Sequence, residues 1–141
     1  MKKVKLDSNK LKILAEEKNK ELIELHKHGT FFKTVARDAG YVPEYALKAV
    51  VCKHHFGVYP DHIKGYKTHK IDALLHKAKL TKEFKSEQRR NPKFKASWST
   101  ISSWTSKLRY DNDITKQHAS RYMNALNNDN GGVYKWIKNY W

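Results

Sequence analysis

The sequence predicts an all-α fold, an up-and-down helical bundle of four to five core helices with short extra helices. Apolar residues recur at helical spacing in successive segments. The three prolines and six glycines fall where those segments should end. No stretch of useful length alternates apolar and polar residues as a strand does. We expect the 141 residues to form one domain, since a chain of that length can bury its own core.

The N-terminal part of the chain predicts two helices. The first begins near Ser8, and its apolar positions keep helical spacing until Gly29 ends the run. Thr30 is expected to cap a short second helix over 31–39. Gly40 is expected to end that helix.

A third helix and a fourth follow, separated by a loop over 57–67. Pro43 suits the first turn of the third helix, where its missing N–H costs nothing. Thr68 is expected to cap the fourth helix. The buried stripe predicted for that helix consists of Ile71, Leu74, Leu75 and Ala78.

The segment 79–96 is basic and polar and has the weakest helical pattern of the chain. Asn91-Pro92 is a turn signal within it, and mobility is expected here. A helix is predicted from Ser97 until the polar run 111–113 breaks it. Thr115 is expected to cap the next helix, and a final aromatic segment ends the chain.

The net charge of +15 is large for this length and unevenly distributed. Residues 61–95 contain 11 Lys or Arg and 4 acids, which predicts attraction to a polyanion such as RNA or to a nucleotide. The alternative is a solvated surface kept for solubility. Tyr66, Phe84 and Phe94 would be available for stacking on bases. The candidate phosphate-binding residues are Lys64, Lys67, Lys70, Lys82, Lys85, Arg89, Arg90 and Lys93.

Cys52 is the only cysteine, so it forms no intramolecular disulfide, and its apolar surroundings in the sequence predict a buried, inert thiol. No HExxH motif or acidic ligand cluster accompanies the eight histidines, and we expect neither a metal site nor a cofactor. The basic N-terminus lacks an apolar signal core, and no apolar run is long enough to cross a bilayer. A cytoplasmic protein without a membrane partner is therefore expected.

Three motifs in order resemble the HEPN family of small helical domains. They are GYVPEYALKAVVCK at 40–53, THKIDALLHKA at 68–78, and Trp104 followed by Arg109-Tyr110. The resemblance covers about 30–141 and leaves 1–29 as an N-terminal helix. It implies a bundle, often dimeric, that binds RNA or nucleotides in toxin–antitoxin or phage-defence systems. It gives Glu44 and Tyr110 structural roles.

The resemblance also implies a possible catalytic pair, Arg109 and His118. Ribonucleases of the family use an Arg and a His, without metal, as a phosphate-stabilising cation and a base for the ribose hydroxyl. Here eight residues separate the two, a longer spacing than the family's pattern. Arg109 is expected instead to pair with a carboxylate such as Glu44, which ties two helices together.

Three functions are therefore predicted, and the first is favoured. The chain is an RNA- or nucleotide-binding domain without a standard nuclease motif. Alternatively, it is a metal-independent endoribonuclease that uses Arg109 and His118, acting as a homodimer. As a third alternative, it is the partner of a nucleotidyltransferase or an antitoxin. The four tryptophans between Trp98 and Trp141 would then anchor that interface, although they could equally pack on the chain's own core.

Overall fold

The computed structural model describes residues 5–141, which form an all-helical bundle, as predicted. A short 3-10 helix, Ser106–Tyr110, lies between the sixth and seventh α-helices. No strand forms in this part of the chain, where one isolated bridge pairs Asp7 with Val58. The α-helices are α1 (Ser8–His28), α2 (Phe32–Asp38), α3 (Tyr41–Cys52), α4 (Ile71–Lys77), α5 (Thr81–Arg90), α6 (Pro92–Ser102), α7 (Lys116–Asn127) and α8 (Val133–Lys138).

The core of the bundle is built around α3. All of its residues are buried except Tyr41 and Tyr45, which are half-buried. α1, α4 and α8 each pack against it. Because α3 is enclosed in this way, even its polar residues Glu44 and Lys48 lie inside the protein, with 3% and 9% of their surface exposed.

Several helix ends follow the expected chemistry. The carboxylate of Asp7 accepts a hydrogen bond from the Lys10 N–H at 2.8 Å and caps α1. Gly29 ends the helix with a φ of +68°, a left-handed conformation that favours glycine. Thr115 caps α7, as predicted.

Two predicted caps are wrong. The Thr30 hydroxyl donates to the carbonyl of His28 at 3.3 Å, and no side chain caps α2. The Thr68 hydroxyl accepts from the N–H of Lys70 at 3.1 Å, while α4 begins only at Ile71. In both places the short side chain bonds a nearby backbone group and stabilises a turn ahead of the helix.

The segment 79–96, where mobility was expected, instead forms α5 and the first part of α6. The Asn91-Pro92 signal marks the boundary between the two helices. The Asn91 side chain accepts from the Phe94 N–H at 3.2 Å, and Pro92 occupies the first turn of α6. The helix predicted from Ser97 therefore begins at Pro92.

Four aromatic side chains hold α5 against the bundle. Phe84 is the only apolar residue of α5, and its ring centroid lies 4.6 Å from that of Trp98 and 5.8 Å from that of Phe94. Trp136 of α8 completes this aromatic cluster, 4.9 Å from Phe94. Rings at such distances and tilted angles attract each other beyond the effect of their buried area. One anchor thus fixes which face of α5 points inward.

We expect Phe84→Ala to lower the free energy of unfolding by about 2 kcal/mol, because a half-buried ring leaves the aromatic cluster. Urea denaturation followed by circular dichroism measures the change. Ser86→Ala is the matched control, an exposed position on the same helix that should change stability by less than about 0.5 kcal/mol. Equal stability of the two variants would contradict an anchoring role for Phe84.

Candidate functional site

α5 has two chemically different faces. Its half-buried residues are Thr81, Glu83, Phe84, Glu87 and Gln88, and its exposed residues are Lys82, Lys85, Ser86, Arg89 and Arg90. Both acids of the helix therefore lie on the side that faces the bundle, and all four cations face solvent. This segregation follows from helical periodicity once the Phe84 side is buried.

Of the two acids of α5, Glu87 forms hydrogen bonds at the end of the helix, and Glu83 lies close enough to Tyr140 to influence its pKa. Glu87 accepts from the amide of Asn91 at 3.3 Å and forms a short ion pair with Arg90. The pKa of the Tyr140 hydroxyl is raised, chiefly by burial and next by the negative charges of Glu83 and Glu87. These carboxylates thus leave Lys82, Lys85 and Arg89 as the charges on the outer side.

Two hollows extend the positive surface beyond α5. Lys85 and Arg89 line the first, of about 620 Å³, together with Lys95 of α6. Lys82 lines the second, of about 520 Å³, which also contains Tyr66. Lys82 and Lys85 are three residues apart on one helical face, so the hollows adjoin. We call the combined surface the basic face; its cations are Lys64, Lys77, Lys79, Lys82, Lys85, Arg89 and Lys95. Neither lining contains an Asp or Glu.

The structure brings together half of the predicted phosphate-binding residues. Lys64, Lys82, Lys85 and Arg89 belong to the basic face. Arg90 is exposed but paired with Glu87.

The other predicted residues lie elsewhere. Lys93 lines a separate hollow between α6 and α7, and Lys67 and Lys70 line a cleft beside α4. Lys77, Lys79 and Lys95 belong to the predicted basic segment but were not among the candidate phosphate-binding residues. Their grouping depends on how α4, α5 and α6 meet, which residue spacing alone does not give.

Of the three aromatic residues predicted to stack on bases, Tyr66 is the one that borders the basic face. It is half-buried at the second hollow, and the Lys77 ammonium lies 5.1 Å from its ring centroid. Phe94 is fully buried and Phe84 is half-buried in the aromatic cluster, so their stacking role is contradicted.

Glu44 does not pair with Arg109 as expected. Its carboxylate accepts from Lys48 Nζ at 3.1 Å and from the Nδ1–H of His69 at 2.6 Å. Glu44 is thus a buried acceptor shared by a cation one helical turn away and an imidazole 25 residues later. This arrangement links α3 to the segment that leads into α4.

Arg109 and Tyr110 lie at the surface in the 3-10 helix. The Arg109 guanidinium lies 4.9 Å from the ring centroid of Tyr110, and the Tyr110 side chain is largely exposed. Tyr110 therefore lacks the packed, structural position expected of it.

His118 forms part of a helix cap. Its Nδ1 accepts from the Thr115 N–H at 3.0 Å, while the Thr115 hydroxyl accepts from the His118 N–H at 3.3 Å. This reciprocal pair starts α7. No hydrogen bond joins His118 to Arg109 within residues 5–141, and their ribonuclease role stays a prediction.

The C-terminal aromatic residues pack inward. Tyr134 and Trp136 are buried, with 1% and 7% of their surface exposed. The indole of the half-buried Trp141 donates to the carbonyl of Ala46 at 3.2 Å. These residues therefore pack on the chain's own core, which was the alternative to an interface role.

Cys52 is buried, as expected, and burial raises the pKa of its thiol to about 11. The thiol is therefore protonated and poorly nucleophilic near neutral pH. Over residues 5–141, His, Cys, Asp and Glu side chains form no group of three or more that could hold a metal ion.

No known protein family, curated protein or solved structure matches the chain. The likeness to HEPN domains therefore remains a prediction. Within the described part of the chain, no helix is both long and apolar enough to span a membrane.

Glu44→Ala is expected to lower the free energy of unfolding by about 3 kcal/mol, because it leaves the buried Lys48 ammonium without its partner. Chemical denaturation measures the loss. The matched control is Glu24→Ala, which breaks an exposed pair with Lys27 and should cost less than about 1 kcal/mol. A Glu44→Ala variant no less stable than the control would show that the buried pair does not stabilise the fold.

Proposed function

We propose that this chain binds single-stranded nucleic acid, with RNA as the expected ligand, through the basic face. The observation that supports this is the separation of charge on α5. The helix directs Lys82, Lys85 and Arg89 to solvent and keeps Glu83 and Glu87 on the half-buried side. The alternative, a cationic surface that serves solubility, predicts that no ligand depends on these three residues.

The basic face suits a phosphate backbone. Lys82, Lys85 and Arg89 follow one line along the helix, about 10 Å long at a rise of about 1.5 Å per residue. Lys64, Lys77 and Lys79 extend the positive surface at one end of this line, and Lys95 extends it at the other. Each neutralised phosphate releases counterions, which favours binding at low salt.

A single strand fits this surface better than a duplex. The surface consists of two hollows along one short helix, and Tyr66 lies in one of them. A half-buried tyrosine ring can stack on an unpaired base, whereas paired bases are already stacked. Contacts to phosphate carry no sequence information, so we expect weak sequence preference.

The wider setting is also a proposal. An HEPN-like domain in a toxin–antitoxin or phage-defence system, as a homodimer or with a nucleotidyltransferase or antitoxin partner, agrees with the all-helical bundle and the order of its motifs. The long interval between Arg109 and His118 and the capping role of His118 favour binding over cleavage.

The triple variant Lys82→Ala, Lys85→Ala, Arg89→Ala should lose at least tenfold in affinity for a labelled oligouridylate of about 12 nucleotides. Fluorescence anisotropy over a series of salt concentrations measures this. Loss of three phosphate contacts should also reduce the slope of log affinity against log salt by about 2.

The control removes three positive charges from another surface, the exposed Lys10, Lys20 and Lys27 of α1. If net charge alone drives binding, both triple variants lose affinity equally. That result, or binding that does not respond to salt, contradicts the basic face as the binding surface. A duplex of equal length serves as the second ligand and should bind more weakly.

A further inference from the structure

A cleft separate from the basic face lies between residues 67–73 and the segment 101–107. Its volume is about 590 Å³, within the range of pockets that hold small molecules. None of its lining residues borders either hollow of the basic face.

Positive groups dominate the rim of this cleft. Lys67, Lys70 and Lys107 line it, together with His69. The one acid in the lining, Asp72, accepts a hydrogen bond from the Trp98 indole at 2.9 Å. The lining therefore carries three lysines and one carboxylate that already accepts a hydrogen bond. This excess of positive charge favours an anionic ligand.

Hydroxyl groups add donors to these cations. Thr68 and Thr105 line the cleft, and each hydroxyl oxygen accepts a backbone N–H at 3.1 Å. A hydroxyl that already accepts in this way still has its O–H to donate. Charged and hydroxyl donors together are the groups that recognise phosphate oxygens.

Apolar side chains form the floor of the cleft. Ile71, Ile101 and Trp104 line it and are almost fully buried, with 5%, 2% and 7% of their surface exposed. Because a bare inorganic anion would fill only a small part of about 590 Å³, the cleft suits a larger ligand that carries an organic group next to its charge.

Hydrogen bonds to the protein interior fix two of the side chains that line the cleft. The Nδ1–H of His69 donates to the buried Glu44 carboxylate at 2.6 Å, which leaves Nε2 as the ring nitrogen available to a ligand. The Trp104 indole donates to the Ala36 carbonyl at 2.9 Å. A Cβ at Gly40 would lie 2.0 Å from the Trp104 ring, so this glycine permits the close packing of the indole. His69 and Trp104 therefore need little further ordering when a ligand binds.

We propose that this cleft binds a phosphate monoester that carries an aromatic or apolar group. The lysines and hydroxyls hold the phosphate, and the organic group fills the rest of the cleft. His69 donates a hydrogen bond from Nε2 to the phosphate when both of its ring nitrogens carry a proton. This binding is independent of the nucleic acid proposed for the basic face.

Isothermal titration calorimetry with 1-naphthyl phosphate, adenosine 5′-monophosphate and inorganic phosphate tests the proposal. We expect one site per chain for at least one of the two esters, and at least tenfold weaker binding of inorganic phosphate. The tighter of the two esters shows whether the natural ligand resembles a nucleotide or another aromatic ester.

Lys107→Ala and Lys70→Ala should each weaken the ester at least fivefold, and both positions are exposed, so the variants should fold. His69→Ala should weaken it as well, although the loss of a Glu44 partner can disturb the fold. The control is Lys85→Ala, Arg89→Ala on the basic face, which should leave ester binding unchanged.

Three results would overturn the proposal. The first is the absence of ester binding at ligand concentrations up to about 1 mM. The second is ester binding that is lost in the basic-face control and kept in Lys107→Ala. The third is inorganic phosphate that binds as tightly as both esters. RNA titrations of the same variants keep the two proposals apart, because cleft variants should retain RNA affinity.

Discussion

The position of the basic face depends on the aromatic cluster. Phe84 is the only apolar side chain of α5, and it inserts between Phe94, Trp98 and Trp136. With that ring inside, helical periodicity turns Lys82, Lys85 and Arg89 outward. A helix of ten residues with so little apolar surface would not be stable alone, so its structure comes from this tertiary contact.

A second constraint is the buried carboxylate of Glu44, which fixes the segment that leads into α4. Burial of a charge is tolerated only with well-placed partners, and Lys48 and His69 supply them. Because His69 precedes α4, this contact also sets one wall of the cleft. The two constraints divide the positive charge between an open surface, which we propose binds nucleic acid, and a cleft, which we propose binds a small ligand.

The sequence predicted the all-α class because caps, glycines and apolar spacing agree along most of the chain. It missed α5, since one phenylalanine gives no apolar period and Asn91-Pro92 suggested an irregular segment. The helical spacing of Lys82, Lys85 and Arg89 was the available signal. It also assigned Glu44 the wrong partner. The i,i+4 spacing of Glu44 and Lys48 was an available local signal. The contact with His69 could not be predicted in this way, because it depends on the packing of α3 beside the segment that leads into α4.

We propose that nucleic acid contacts the outer side of α5. A titration of the whole chain with an oligouridylate, followed by two-dimensional ¹H–¹⁵N NMR, tests this contact residue by residue. We expect the largest chemical-shift changes on Lys82, Lys85 and Arg89 and on the residues around Lys64 and Lys95. Changes centred on α1 or α7, or spread evenly over the surface, would contradict it.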